Sequence, residues 1–81
     1  MPSPHLRGGD RLETQITGHR LTIWHNGTEV EIIRHGYARR ADQPGLKARM
    51  AQAAEAATGC TLHPGSIDGD TGVLRARLSC D

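Results

Sequence analysis

Eighty-one residues carry ten basic and nine acidic side chains, for a net charge of +1. That balance excludes a general polyanion binder, whose surface would show a large basic excess, and the length excludes a second domain. No apolar run approaches a signal h-region or a membrane span, and the opening Met-Pro-Ser-Pro is polar, so the expectation is a cytoplasmic protein without membrane contact. With no Phe, one Trp (Trp24) and one Tyr (Tyr37), the core must be aliphatic and its burial modest. A chain of this size then needs support from a disulfide or from a partner chain. Nine of the ten basic residues are Arg. Codon usage in a GC-rich genome accounts for that bias better than selection for bidentate anion contacts.

Residues 1–10 hold two Pro, two Gly and no periodicity, which reads as a loosely docked N-terminal arm preceding one domain over residues 11–81. Alternation starts at Leu12. Asn26-Gly27 between two alternating runs is a strong hairpin signal, because a type I′ turn needs positive φ at both central positions. Centred there, the turn pairs Trp24 with Glu29, Ile23 with Val30, and Leu21 with Ile32. Gly18-His19 suits a type II′ turn, pairing Ile16 with Leu21 and Thr14 with Ile23. Both turns put Leu12, Ile16, Leu21, Ile23, Val30 and Ile32 on one face. The other face holds Thr22, Trp24, Glu29, Glu31 and Ile33. A meander over residues 11–17, 20–25 and 28–35 follows.

After a connector, YARRADQPG, Asp42 is placed as a helix N-cap with Pro44 in the first turn. Gly59 occupies the position of a C-terminal stop. Leu46, Met50, Ala53 and Ala57 form the apolar stripe between them. The closing stretch reads as a hairpin looping through Asp68-Gly69-Asp70-Thr71-Gly72, with Ile67 opposite Val73, Leu62 opposite Leu78 and Cys60 opposite Cys80. Pro64 lacks an N–H and should interrupt the first arm. The fold class is therefore α+β: a two-layer β-β-β-α-β-β chain whose antiparallel sheet carries one helix on one face. Its expected core is Leu12, Ile16, Leu21, Ile23, Val30, Ile32, Leu46, Met50, Leu62, Leu74 and Leu78.

Cys60 and Cys80 face each other in this register and are the disulfide candidate; the competing reading is a pair of buried thiols in a reducing cytosol. Cys60-x-x-His63 has the spacing of a metal fragment, but alternation puts the two on opposite faces and a second ligand pair is lacking, so no metal is expected. Asp68-x-Asp70 opens like a calcium loop, yet the later acids of an EF-hand are missing and a tight turn selects the same residues. The five His residues sit at turns and strand ends, and no nucleophile motif, P-loop or dinucleotide fingerprint occurs. No catalytic residue and no cofactor can be assigned.

Three surface features remain. Trp24 lies on the far face from the helix, flanked across strands by Glu13 and Glu29, with Glu31 and Ile33 nearby; a large aromatic among polar groups suits an interface anchor. The connector presents Tyr37, Arg39 and Arg40. The outer face of the closing hairpin presents His63, Arg75 and Arg77. Each has a plainer reading: the arm folding over Trp24, and solvated faces for the two arginine groups.

The stretch AEAATGC…GDTGVLRARLSC resembles the ending of short reading frames from GC-rich alphaproteobacterial genomes. In size and layout the chain resembles small proteins of phages and mobile elements, anti-CRISPR inhibitors among them. The likeness covers no motif and carries over no functional residue. It implies a non-enzymatic protein that binds a protein partner, such as a phage-type inhibitor of a nucleic-acid machine. The alternative is a small nucleic-acid-binding module using Arg39, Arg40, Arg75 and Arg77. A homodimer is also expected, through the Trp24 face or an exposed edge strand.

Overall fold

The computed structural model describes residues 9–16 and 18–80, apart from the side chain of Asp42. Its elements are β1 (Asp10–Ile16), β2 (His19–His25), β3 (Glu29–Arg34), α1 (Leu46–Thr58), β4 (Thr61–Leu62), β5 (Asp68–Gly69) and β6 (Val73–Ser79), with 3-10 turns at Arg40–Asp42 and Pro64–Ser66. The α+β class holds. All strand pairs are antiparallel, and the sheet runs β1-β2-β3-β6-β4 with β5 also on β6. The last long strand therefore inserts beside β3, which leaves β1 at one edge and the two-residue β4 at the other. Of the expected arm, residues 1–8 lie outside the described residues, and Asp10 already belongs to β1.

Both hairpin registers differ from expectation by two residues. His25 pairs with Val30 and Ile23 with Ile32, so the central turn residues are Gly27-Thr28 rather than Asn26-Gly27. The cause is the Asn26 side chain, whose Oδ1 accepts the N–H groups of Thr28 (3.1 Å) and Glu29 (2.9 Å). Asn26 thus acts as a local acceptor one position before the turn, and Gly27 supplies the positive φ of 107°. Ile16 pairs with His19, which replaces the Gly18-His19 turn by Thr17-Gly18; Thr17 itself lies outside the described residues. A slip of two preserves side-chain parity, whereas a slip of one would have inverted the faces. Leu12, Ile23, Ile32 and Leu74 consequently stand in one row across four strands.

The helix starts later than expected. Residues 40–42 form a 3-10 turn, and Gly45, with φ of 77°, takes the N-cap in place of Asp42. At the other end Gly59 does stop the helix: it is left-handed (φ 74°) and its N–H reaches the Glu55 carbonyl. The buried stripe is Leu46, Met50 and Ala54, with Ala53 partly covered. Ala57, expected in the stripe, is exposed. At 100° per residue Ala57 stays on the same side of the helix as the 46/50/54 line, so its exposure reflects its place in the last turn, one residue before the helix ends at Thr58. All eleven expected core residues join one cluster, nine buried and Leu12 and Ile16 partly so, with Ala38, Ala54 and Ala76 added.

The closing hairpin keeps its expected register only near its base. Thr61 pairs with Ser79 and Leu62 with Leu78, but beyond Pro64 the pairing shifts to Asp68 with Arg75 and Gly69 with Leu74. Pro64 opens a 3-10 turn that takes up extra residues, so Ile67 no longer faces Val73. Gly69 is obligatory here, since φ is 108° and a Cβ would collide with the Val73 carbonyl oxygen. At the base Cys60 and Cys80 are joined by a disulfide, with Cα atoms 4.6 Å apart. The Glu55 carboxylate accepts the Leu62 N–H at 2.8 Å and ties the end of the helix to β4.

Two expectations follow. Reducing the Cys60–Cys80 bridge should lower unfolding stability by about 3 kcal/mol, the loop-closure value for a span of this length. A urea midpoint that does not move on reduction would count against it. Ala54→Leu should destabilise by about 1–3 kcal/mol through overpacking, while Ala57→Leu should stay within about 0.5 kcal/mol. Equal losses in the two variants would mean that Ala57 is covered as closely as Ala54.

Candidate functional site: the outer face of the sheet

The helix covers one face of the sheet and leaves the other to be read strand by strand. Arg11 pairs with Trp24, Trp24 with Glu31, and Glu31 with Arg75, which in turn pairs with Asp68 on its far side. This row is the polar counterpart of the Leu12-Ile23-Ile32-Leu74 row, displaced by one residue in every strand. The two-residue slip in the hairpins changes the neighbours of Trp24 from Glu13 and Glu29 to Arg11 and Glu31. The Arg11 guanidinium carbon lies 5.9 Å from the centre of the indole ring, within cation–π range. Arg11 also bonds Glu13 on its own strand.

Glu31 was expected at the surface and is 0% exposed. Its Oε1 accepts a hydrogen bond from Arg75 Nε at 3.2 Å, and the Arg75 side chain remains 55% exposed. A buried carboxylate needs such a partner, because desolvation of the lone charge would cost several kcal/mol. Thr22, also expected outside, is buried; its hydroxyl lies 2.6 Å from Nε2 of His35. Trp24 and Ile33 are half-buried rather than exposed. The face is thus a fitted layer and not a loose polar surface.

The structure brings Trp24, Glu29, Glu31, Ile33, Arg75 and Arg77 onto this one face, with Arg77 directly opposite Glu29. His63 sits beside it, its N–H bonded to the Arg77 carbonyl at 3.0 Å. Tyr37, Arg39 and Arg40 lie elsewhere, on the connector that leaves the opposite end of β3. There Ala38 is buried as an anchor, and Tyr37 is 84% exposed. Arg11 and His35 belong to the face and were not anticipated there, whereas Thr22 was expected on it and only its burial was not. Correct placement of the first turn, at Thr17-Gly18, would have revealed Arg11 opposite Trp24.

Asp70 accepts the N–H groups of Val73 (3.0 Å) and Gly72 (2.8 Å), and these bonds hold its carboxyl below the usual carboxylate range. Its loop is an Asx turn. Among the described residues no three His, Cys, Asp or Glu side chains gather where they could hold a metal ion. Among the same residues no helix is long and apolar enough to cross a membrane.

Arg75→Ala should lower stability by about 1–3 kcal/mol, the cost of removing a charged partner from a buried carboxylate. In a Glu31→Gln background the same substitution should cost much less. Equal losses in both backgrounds, measured by chemical denaturation, would show that the two side chains are not coupled.

Comparison with known proteins brought no likeness to this arrangement: no family model matches the chain, and neither a curated protein nor a solved structure matches it.

Proposed function

We propose that the chain is a small binding protein that acts through protein–protein contacts made by the outer face of its sheet. The observation that supports this reading is the alternation of charge along the Arg11-Trp24-Glu31-Arg75-Asp68 row. A nucleic-acid surface needs arginines available to phosphate. Here Arg75 stands between Glu31 and Asp68, Arg77 faces Glu29, and Arg11 is bonded to Glu13. Opposed charges at short range, around a rigid indole, instead suit a partner of matching mixed charge. Tyr37 adds a free aromatic at the margin of the molecule, beside Arg39 and Arg40 in the chain.

The inhibitor class named by the resemblance is one instance of such a protein. The proposed setting is cytoplasmic, where glutathione and thioredoxin keep the Cys60–Cys80 bridge in exchange with the dithiol.

The test is fluorescence anisotropy with labelled single-stranded DNA, duplex DNA and RNA, at salt from about 50 mM to 200 mM. The expected result is no uptake of any probe across that range. Micromolar binding that falls steeply with salt would replace the protein-binding reading with the nucleic-acid module. In parallel, Trp24→Ala should keep the circular-dichroism spectrum and lose nuclease-resistant partner capture.

A further inference from the structure

We propose that β1 is a self-pairing edge, and that two copies of the chain join antiparallel through it about a two-fold axis at Leu12. The proposal is independent of the outer-face reading, because it uses the rim of the sheet and not its surface.

The two edges of the sheet are unlike. At the β4 edge the strand is two residues long and is followed by a 3-10 turn that opens on Pro64, which are features that stop further pairing. The β1 edge runs seven residues in unbroken register with β2, without proline or bulge. Among the described residues nothing pairs with its outer side. Its inward side chains Leu12 and Ile16 are only partly buried, although they pack on the core. A groove of about 540 Å³ opens beside this strand, between Thr14 and Ile16 on one side and Arg49, Ala53, Ala56 and Ala57 of α1 on the other.

Charge selects the register and thereby the occupant. In a symmetric antiparallel pair, residues opposed across the seam must have the same parity, so that both sheets keep one face toward their helices. Centring the axis on Glu13 sets Glu13 against its own copy, which is repulsive. Centring it on Thr14 sets Arg11 and Glu13 against uncharged residues. Centring it on Leu12 sets Arg11 against the partner's Glu13 and Glu13 against the partner's Arg11. Leu12 then meets its own copy on the helix side. Asp10, 83% exposed at its side chain, falls opposite the partner's Thr14 and so enters the groove that Arg49 lines. Four favourable charge pairings arise from one placement. The Arg11–Glu13 contact within each chain is exchanged for the same contact between chains.

The experiment is sedimentation equilibrium on the full chain over a concentration series, with Glu13→Arg and Arg11→Glu as variants. Wild-type protein should show a reversible monomer–dimer equilibrium. Each variant alone opposes like charges at two symmetric positions and should weaken dimerisation at least tenfold, on the order expected for reversing two cross-strand pairs. An equimolar mixture of the two variants restores every pairing and should form the heterodimer. In the wild type, hydrogen exchange of the amides from Asp10 to Thr14 should slow as concentration rises, a readout that needs no variant. A monomer at all concentrations would overturn the proposal. So would a dimer that both variants form as well as wild type, or a mixture that associates no better than its components; an extended hetero-peptide would then be the remaining occupant of the edge.

Discussion

Leu12, Ile23, Ile32 and Leu74 stand side by side across four strands, and everything else in the molecule is arranged around that row. The helix lowers Leu46, Met50 and Ala54 onto the same side, and all but the partly covered Leu12 are fully buried. With no Phe and its one Trp on the far face, no single side chain here can fill the core alone. Regular alternation must therefore be maintained in every strand, since one inverted residue would put a charge under the helix.

The same constraint generates the outer face. If the odd or even positions of each strand meet the helix, their neighbours must meet each other across the sheet. The row Arg11-Trp24-Glu31-Arg75 is thus a geometric consequence of the apolar row one residue away. Its chemistry is not a consequence of that geometry. Alternating sign around an aromatic is a choice of side chains, and it is what turns a solvated face into a matched one. The burial of Glu31 beneath its Arg75 contact makes the layer stiff as well as neutral. Stiffness lowers the entropy lost on binding a partner.

Closure at the base of the hairpin has a different origin. Pro64 breaks the strand that would otherwise run from Cys60 to the tip, so β4 holds to β6 by only two residue pairs. The disulfide, the Glu55 contact to Leu62 and the bond from His63 N–H to the Arg77 carbonyl (3.0 Å) together replace the missing ladder. The short edge this leaves is protected. The long edge at β1 has no such device among the described residues.

Much of the molecule was legible in the residues themselves. Period-two alternation from Leu12 to Ile33 identified the two faces of the meander, and they survived although both hairpin registers moved. The reason is that parity belongs to the side-chain pattern, whereas register is set by the turn. Asn26 decided that turn with its side-chain oxygen, a choice that a dipeptide preference does not encode. Gly59 marked the helix end because a left-handed stop has few alternatives, while Gly45 could not be told from any other glycine in a connector. Cys60 and Cys80 could be set opposite one another because the hairpin base lies before the disturbance at Pro64. Only the tertiary structure decided that β6 would lie beside β3. No local pattern specifies which strands pair when they are forty residues apart, since that depends on where the helix delivers the chain. That single insertion brought Arg75 to Glu31 and Arg77 to Glu29, and it converted two separate polar faces into one surface of balanced charge.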